Sequence, residues 1–177
     1  MSIQRKLIGL LLKGYETGYP FVKELLQNAD DAGASKLSLS IFDPPDKLKK
    51  CHPLFGTKIL SITNDGEFKE ENEKAIKSFE GTKDFDEGAI GRFGLGIKSV
   101  FHFCDAFFLL SSKHSNSTWA LNPVGFFNPY DDSEIYPEWN SFNEQEVASL
   151  MENEISRSSR SDFHGFDKQW FSIWLPL

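Results

Sequence analysis

The sequence predicts an α+β fold: a two-layer α/β sandwich in which helices cover one face of a mixed, mostly antiparallel sheet. An amphipathic helical segment bounded by Pro20 and Gly33 stands before the first strand-like run. Short apolar runs at 36–42, 58–63, 106–112, 118–121 and 171–177 supply the strands. Between them, helical and irregular stretches do not recur at the regular strand–helix interval of a doubly wound parallel sheet. No internal repeat is visible.

Taken in order, residues 3–13 carry Ile3, Leu7, Leu10 and Leu11 at a helical period, and the stretch from Gly14 to Pro20 ends that helix. Pro20 opens a second helix that stops at Gly33. Proline is tolerated where the N–H has no partner within the helix, and glycine accepts the left-handed turn past its end. Leu37, Leu39 and Ile41 alternate with Ser38 and Ser40, so a strand with one buried face is expected, ended by Pro44-Pro45. A charged loop through Lys50 leads to a second strand over 58–63, which delivers Asn64-Asp65-Gly66 at its end. Residues 69–79 read as a helix burying Ala75, Ile76 and Phe79, and 81–88 as a polar, mobile connection flanked by glycine. A glycine-rich loop then opens a helix from Leu95 to about Phe103, followed by two strands. Residues 122–142, rich in Asn, Pro, Phe and Tyr, have no assignable pattern. A charged helix over 144–155, a Ser/Arg connection over 156–161 and a last strand complete the chain.

With 177 residues, 40% of them hydrophobic and 17 of them Phe, the chain can bury a core without staples, and it is read as one domain over 1–177. A net charge of −7 disfavours nucleic acid or an anionic membrane as partner, because both need dense Lys and Arg. Lys47, Lys49 and Lys50 are too few to change that. Cys51 and Cys104 suit a reducing compartment better than a disulfide framework, although a bond between them stays open. The apolar run beginning at Leu7 is cut by Lys13, with no small-residue cleavage site after it, and no segment reaches membrane-spanning length. A cytoplasmic location is expected.

Chemistry concentrates in three places. On a helix Glu24, Asn28 and Asp31 fall at i, i+4 and i+7, so a carboxylate, an amide and a second carboxylate share one stripe. Asn64-Asp65-Gly66 closes a strand, and Gly91-Arg92-Phe93-Gly94-Leu95-Gly96 precedes a helix. Each pattern alone has an ordinary explanation: a solvated helix face, a tight turn, a flexible loop. Together and in this order they suit Mg-ATP. The amide oxygen of Asn28 can ligate magnesium, which keeps waters and takes few protein oxygens. Glu24, one turn earlier, can take a proton from water. Asp65 offers an acceptor to the exocyclic amine of adenine. The glycines let backbone N–H groups approach phosphate, with the positive end of a helix behind them. The loop matches neither the dinucleotide fingerprint nor the Walker motif, which needs Lys-Ser/Thr. The pairs Cys51-His52 and His102-x-Cys104 lack zinc-ligand spacings and are read as core or surface residues.

Glu24-x-x-x-Asn28-x-x-Asp31-Ala32, Asn64-Asp65-Gly66 and Ile90 to Gly96 resemble the three nucleotide-binding boxes of the GHKL ATPases, the group of gyrase, the ninety-kilodalton heat-shock chaperone, histidine kinases and MutL. The likeness is greatest to the sacsin-type branch, through Leu26 to Ala34, Gly91 to Gly96, Ser99 to His102 and Pro176-Leu177. The resemblance implies a GHKL-type sandwich and a site in which Glu24 is the general base, Asn28 the magnesium ligand, Asp65 the adenine acceptor and Gly91, Arg92, Phe93, Gly94, Leu95 and Gly96 the phosphate loop. It adds Asp31, Ala32 and Ile97 as pocket wall, with Thr82 and Lys83 where a lid could touch phosphate. Two departures stand out. Glu67-Phe68 replaces small residues after Gly66, and Trp170-Phe171 stands where relatives often carry Gly-Thr.

By that resemblance the chain is expected to be a Mg-dependent ATP-binding and ATP-hydrolysing domain that couples nucleotide state to a conformational change. It binds ATP and ADP, with slow turnover alone, because in relatives a following domain completes the site. It is expected to be the N-terminal module of a longer protein, partnered by downstream domains, with a protein client or dimerisation as further possibilities. The alternative is a non-catalytic nucleotide-binding or interaction scaffold. A histidine-kinase reading is weaker, since no phosphoacceptor helix pattern is visible upstream.

Overall fold

The computed structural model describes residues 19–68, 96–104, 106–115, 118–127, 137–162 and 169–177. The helix expected over 3–13, the helix over 69–79 and the connection over 81–88 lie outside them.

Helix α1 covers Tyr19–Asp31, with Pro20 in its first turn. It buries Phe21, Leu25 and Ala29, spaced four apart, and leaves Val22 and Leu26 exposed. Past its end Gly33 adopts φ 68°, and the Ala34 N–H donates back to the Ala29 carbonyl at 2.9 Å. That left-handed residue is what ends the helix and turns the chain into the sheet.

Strand β1 is Leu37–Phe42 and β2 is Ile59–Asn64. Between them the charged loop folds into a short helix α2, Asp46–Lys49, and a 3-10 turn over Pro53–Gly56, which bury Leu48 and Phe55 completely. A 3-10 helix, not an α-helix, spans Gly96–His102. Strand β3 is Phe107–Ser115 and β4 is Thr118–Phe127. After a 3-10 turn over Pro137–Ser141, helix α3 runs Glu144–Asp162, and β5, Phe171–Pro176, comes last.

The five strands form one sheet in the order β1-β2-β5-β3-β4. Every pairing among the described strands is antiparallel, where a mixed sheet was expected. The last strand in sequence is therefore central. All six of its residues are buried, the mark of a strand covered on both faces. Alternation sorts its side chains: Phe171, Ile173 and Leu175 join one apolar cluster with Phe21 and Leu25 of α1, Val100 and Leu109. Trp174 faces the opposite cluster with Val147, Met151 and Ile155 of α3, Phe108 and Leu110. The single helical face expected from the sequence is thus corrected to two. Phe107 to Leu110 is apolar at every position, because β3 too needs partners on both sides.

Three further expectations change: α3 runs on to Asp162, through the Ser/Arg stretch over 156–161 that was read as a connection. β1 is an edge strand, and the face read as buried is open: Leu39 is 52% and Ile41 61% exposed, while only Leu37 packs on the cluster. β4 runs on to Phe127 through Pro123, into the stretch without a pattern. It tolerates that proline as the other edge strand, beside a register shift between Leu109 and Leu110 where the ladder is interrupted.

Candidate functional site

Where α1 lies over the sheet a cavity remains, with a free interior of about 30 Å³. Leu25, Asn28 and Ala32 line it from α1, Ile62 and Asn64 from the end of β2. Glu67 and Phe68 close it from the following turn, Ile97 from the 3-10 helix, and Phe171 and Ile173 from β5. Sequence-distant helix, turn and strand thus converge on one space. Its walls are mainly apolar with a few polar groups, the usual make-up of a small-molecule site.

Glu24 joins this cavity through Asn28. Their side chains are hydrogen-bonded, and the Glu24 carboxyl is raised above its ordinary range: burial raises it most, the Asn28 bond counteracts, and the charge of Asp31 raises it further. An ionised carboxylate only accepts, so Asn28 gives its Nδ2 to Glu24. Asp31, the third member of the stripe, is exposed and stands outside the cavity wall.

The turn after β2 departs from expectation at one residue. Asp65, expected to face the base, binds the chain leaving α1 instead. Its Oδ1 accepts from the N–H groups of Ser35 and Lys36, both at 2.7 Å, and its Oδ2 from the Ser35 hydroxyl at 2.6 Å. Burial raises the Asp65 carboxyl, but these hydrogen bonds outweigh it and hold the group below its ordinary range. From this turn Asn64 reaches the cavity, 9% exposed, its Oδ1 accepting from the Gly66 N–H at 2.9 Å. Strand alternation carried one step past Ile62 points to Asn64 and could have found it.

Gly66 sits against the last turn of α1. A Cβ there would lie 2.7 Å from the Ala32 Cβ and 3.0 Å from the Ala32 carbonyl oxygen, so the close approach requires glycine. The same Ala32 carbonyl accepts from the Glu67 N–H at 3.0 Å. Ala32 thus lines the cavity and holds the turn. Phe68 stacks on Phe171 at 4.1 Å between centroids and 3° between planes, so the two rings form an aromatic wall of the cavity. Phe68, Phe171, Ile173 and Glu67 are site residues the sequence reasoning did not assign.

Gly96 begins the 3-10 helix and Ile97, 5% exposed, reaches the cavity as expected of pocket wall. Thr82, Lys83, Gly91, Arg92, Phe93, Gly94 and Leu95 lie outside the described residues. His52 is buried and caps the 3-10 turn, its Nδ1 accepting from the Leu54 N–H at 3.2 Å. Among the described residues neither cysteine forms a disulfide, no group of three His, Cys, Asp or Glu side chains could hold a metal, and no helix is long and apolar enough to cross a membrane.

An antiparallel sheet with helices on both faces, and a cavity where one helix and a strand-end turn meet, define an α+β domain built to place α1 against the β2 turn. The chain belongs to the Sacsin domain family, whose profile matches residues 4–163. It is similar to Sacsin from Homo sapiens, 35% identical over 102 residues, which is 54% of this chain. It spans only about 2% of that relative's length.

Proposed function

We propose that this sacsin-type domain is a GHKL-like module that binds Mg-ATP in the cavity and hydrolyses it slowly. The observation that supports this most is the pairing of Glu24 with Asn28, a burial-raised carboxyl hydrogen-bonded to an amide that lines the cavity. A carboxyl raised toward neutrality is a better proton acceptor than an ordinary one. Asn28 holds it in place.

The donor set fits magnesium. Asn28 Oδ1 would hold the ion as a single protein ligand beside phosphate oxygens and water. Bound there, it would neutralise phosphate charge. Glu24 takes the proton of the attacking water, Leu25, Ile62 and Ile173 exclude bulk solvent from the ring, and Asn64 meets its polar edge.

Calorimetry of the 177-residue chain with Mg-ATP, Mg-ADP and a non-hydrolysable analogue, together with a phosphate-release assay, tests the reading. Micromolar to millimolar binding with slow release supports it. Binding without preference and without phosphate release makes the domain a scaffold, and no heat with any nucleotide at millimolar excess overturns the assignment.

A further inference from the structure

We propose that β1 is a self-pairing edge, along which two copies of this chain join antiparallel into one continuous sheet. The inference is independent of what the cavity binds.

The backbone of β1 has an inner and an outer set of polar groups. The Asp65 N–H donates to the Lys36 carbonyl at 3.3 Å, so Lys36 turns its peptide groups toward β2. Alternation along an unbroken register gives Ser38, Ser40 and Phe42 the same direction, and turns the N–H and C=O groups of Leu37, Leu39 and Ile41 outward. No described strand takes up these groups, since β1 ends the sheet. The side chains of the same three residues share one face, and Leu39 and Ile41 are more than half exposed there. Free hydrogen-bonding capacity and apolar surface therefore coincide.

Edge strands are normally protected by proline, a bulge or a charge. β4, at the other end of the sheet, contains Pro123 and pairs across a register shift in β3. β1 has no such device. It pairs with β2 residue for residue and carries no charge from Leu37 to Phe42.

A second copy of the strand fits this edge. A two-fold axis normal to the sheet keeps like faces together, so odd-numbered positions of one β1 oppose odd-numbered positions of the other. With the axis at Leu39, that residue faces Leu39 of the second copy, and Leu37 faces Ile41 of the second copy on either side. Every outward N–H and C=O then has a partner, and every apolar side chain on that face an apolar neighbour. Charge agrees with this register. Two chains of net charge −7 meet along an uncharged strand, and Lys36 comes beside Asp43 of the second copy, one position off its own pair. Six strand residues a side bury less than the ~1,600 Å² of a standard interface, so the association is weak, with a Kd of about 10 μM to 1 mM.

Sedimentation equilibrium of the full chain from about 10 μM to about 1 mM, with amide exchange followed residue by residue, tests this. The dimer fraction is expected to rise with concentration, and the N–H groups of Leu37, Leu39 and Ile41 to gain protection with it, while those of Ser38 and Ser40 are protected throughout. Leu39→Lys sets two ammonium groups against each other on the axis, and Leu39→Pro removes an outward N–H that β2 does not use. Each should weaken association by about tenfold or more. A chain that is monomeric at the highest concentration, a dimer that leaves those three N–H groups unprotected, or a dimer that Leu39→Lys does not weaken overturns the proposal. Protection of the three in the monomer means that another segment of this chain covers the edge, and overturns it as well. If Leu39→Pro fails to fold, Leu39→Lys, at an exposed position, decides alone.

Discussion

Ser35 and Asp65, thirty residues apart, grip each other at two points: the Ser35 N–H and hydroxyl each donate to a different oxygen of the Asp65 carboxylate, at 2.7 and 2.6 Å. This clamp joins the chain leaving α1 to the turn after β2. It therefore sets the distance between the two elements that carry Asn28 and Asn64.

Asp65→Ala is expected to destabilise the domain by on the order of 1 kcal/mol, the usual worth of charge-assisted hydrogen bonds reduced by solvent screening at a largely accessible site. Because the folded carboxyl is held below its ordinary value of 3.8, its contribution is complete above that pH and is lost as pH falls through the lower folded value. Urea unfolding at several pH values below 5, on wild type and variant, should show the difference shrinking with acid.

Gly66→Ala tests the contact with α1. The added methyl meets a short, stiff neighbour, the Ala32 Cβ, and backbone oxygen, so the turn or the helix must shift. A loss of about 1–3 kcal/mol is expected, read as a lower melting temperature, together with weaker nucleotide binding.

Glu24→Gln separates activity from stability. Phosphate release is expected to fall by about 100-fold or more, the ordinary contribution of a general base. The folded Glu24 carboxyl is raised above 4.5, so its ionisation costs stability that is lost as pH rises through the folded value. The variant should consequently melt higher than wild type at neutral pH and no higher at pH 4. Undiminished turnover would refute the assignment of Glu24 as base.

His52 predicts an acid limb of its own. Burial lowers its pKa from 6.5 to about 4, against the opposing pull of Glu138. The unfolded chain therefore binds a proton that the folded one refuses between those values. Stability should fall as pH drops from about 6.5 to about 4, by on the order of 2–3 kcal/mol. Thermal melts across that range check the slope, which His52→Gln should flatten.

Much of the chain was legible because local physics is written locally. Pro20 and Gly33 bracket α1 since one lacks a donor the helix does not need and the other reaches φ 68° without strain. The apolar runs became β1, β2, β3 and β5, and of the stripe Glu24, Asn28 and Asp31 only Asn28 lines the cavity. β4 was cut short because the residues after Leu121 carry no strand pattern, and Pro123 among them is accommodated only because the strand lies at an edge.

What alternation determined was which side chains share a face; what it left open was which face something would cover. Leu39 and Ile41 read as core and lie exposed, because β1 fell at the sheet edge, while β5 fell at the centre and is buried throughout. Tertiary structure likewise chose between Asn64 and Asp65. Adjacent residues at a strand end point oppositely, so once Ser35 and Lys36 drew the carboxylate to the outside, the amide before it was left facing in.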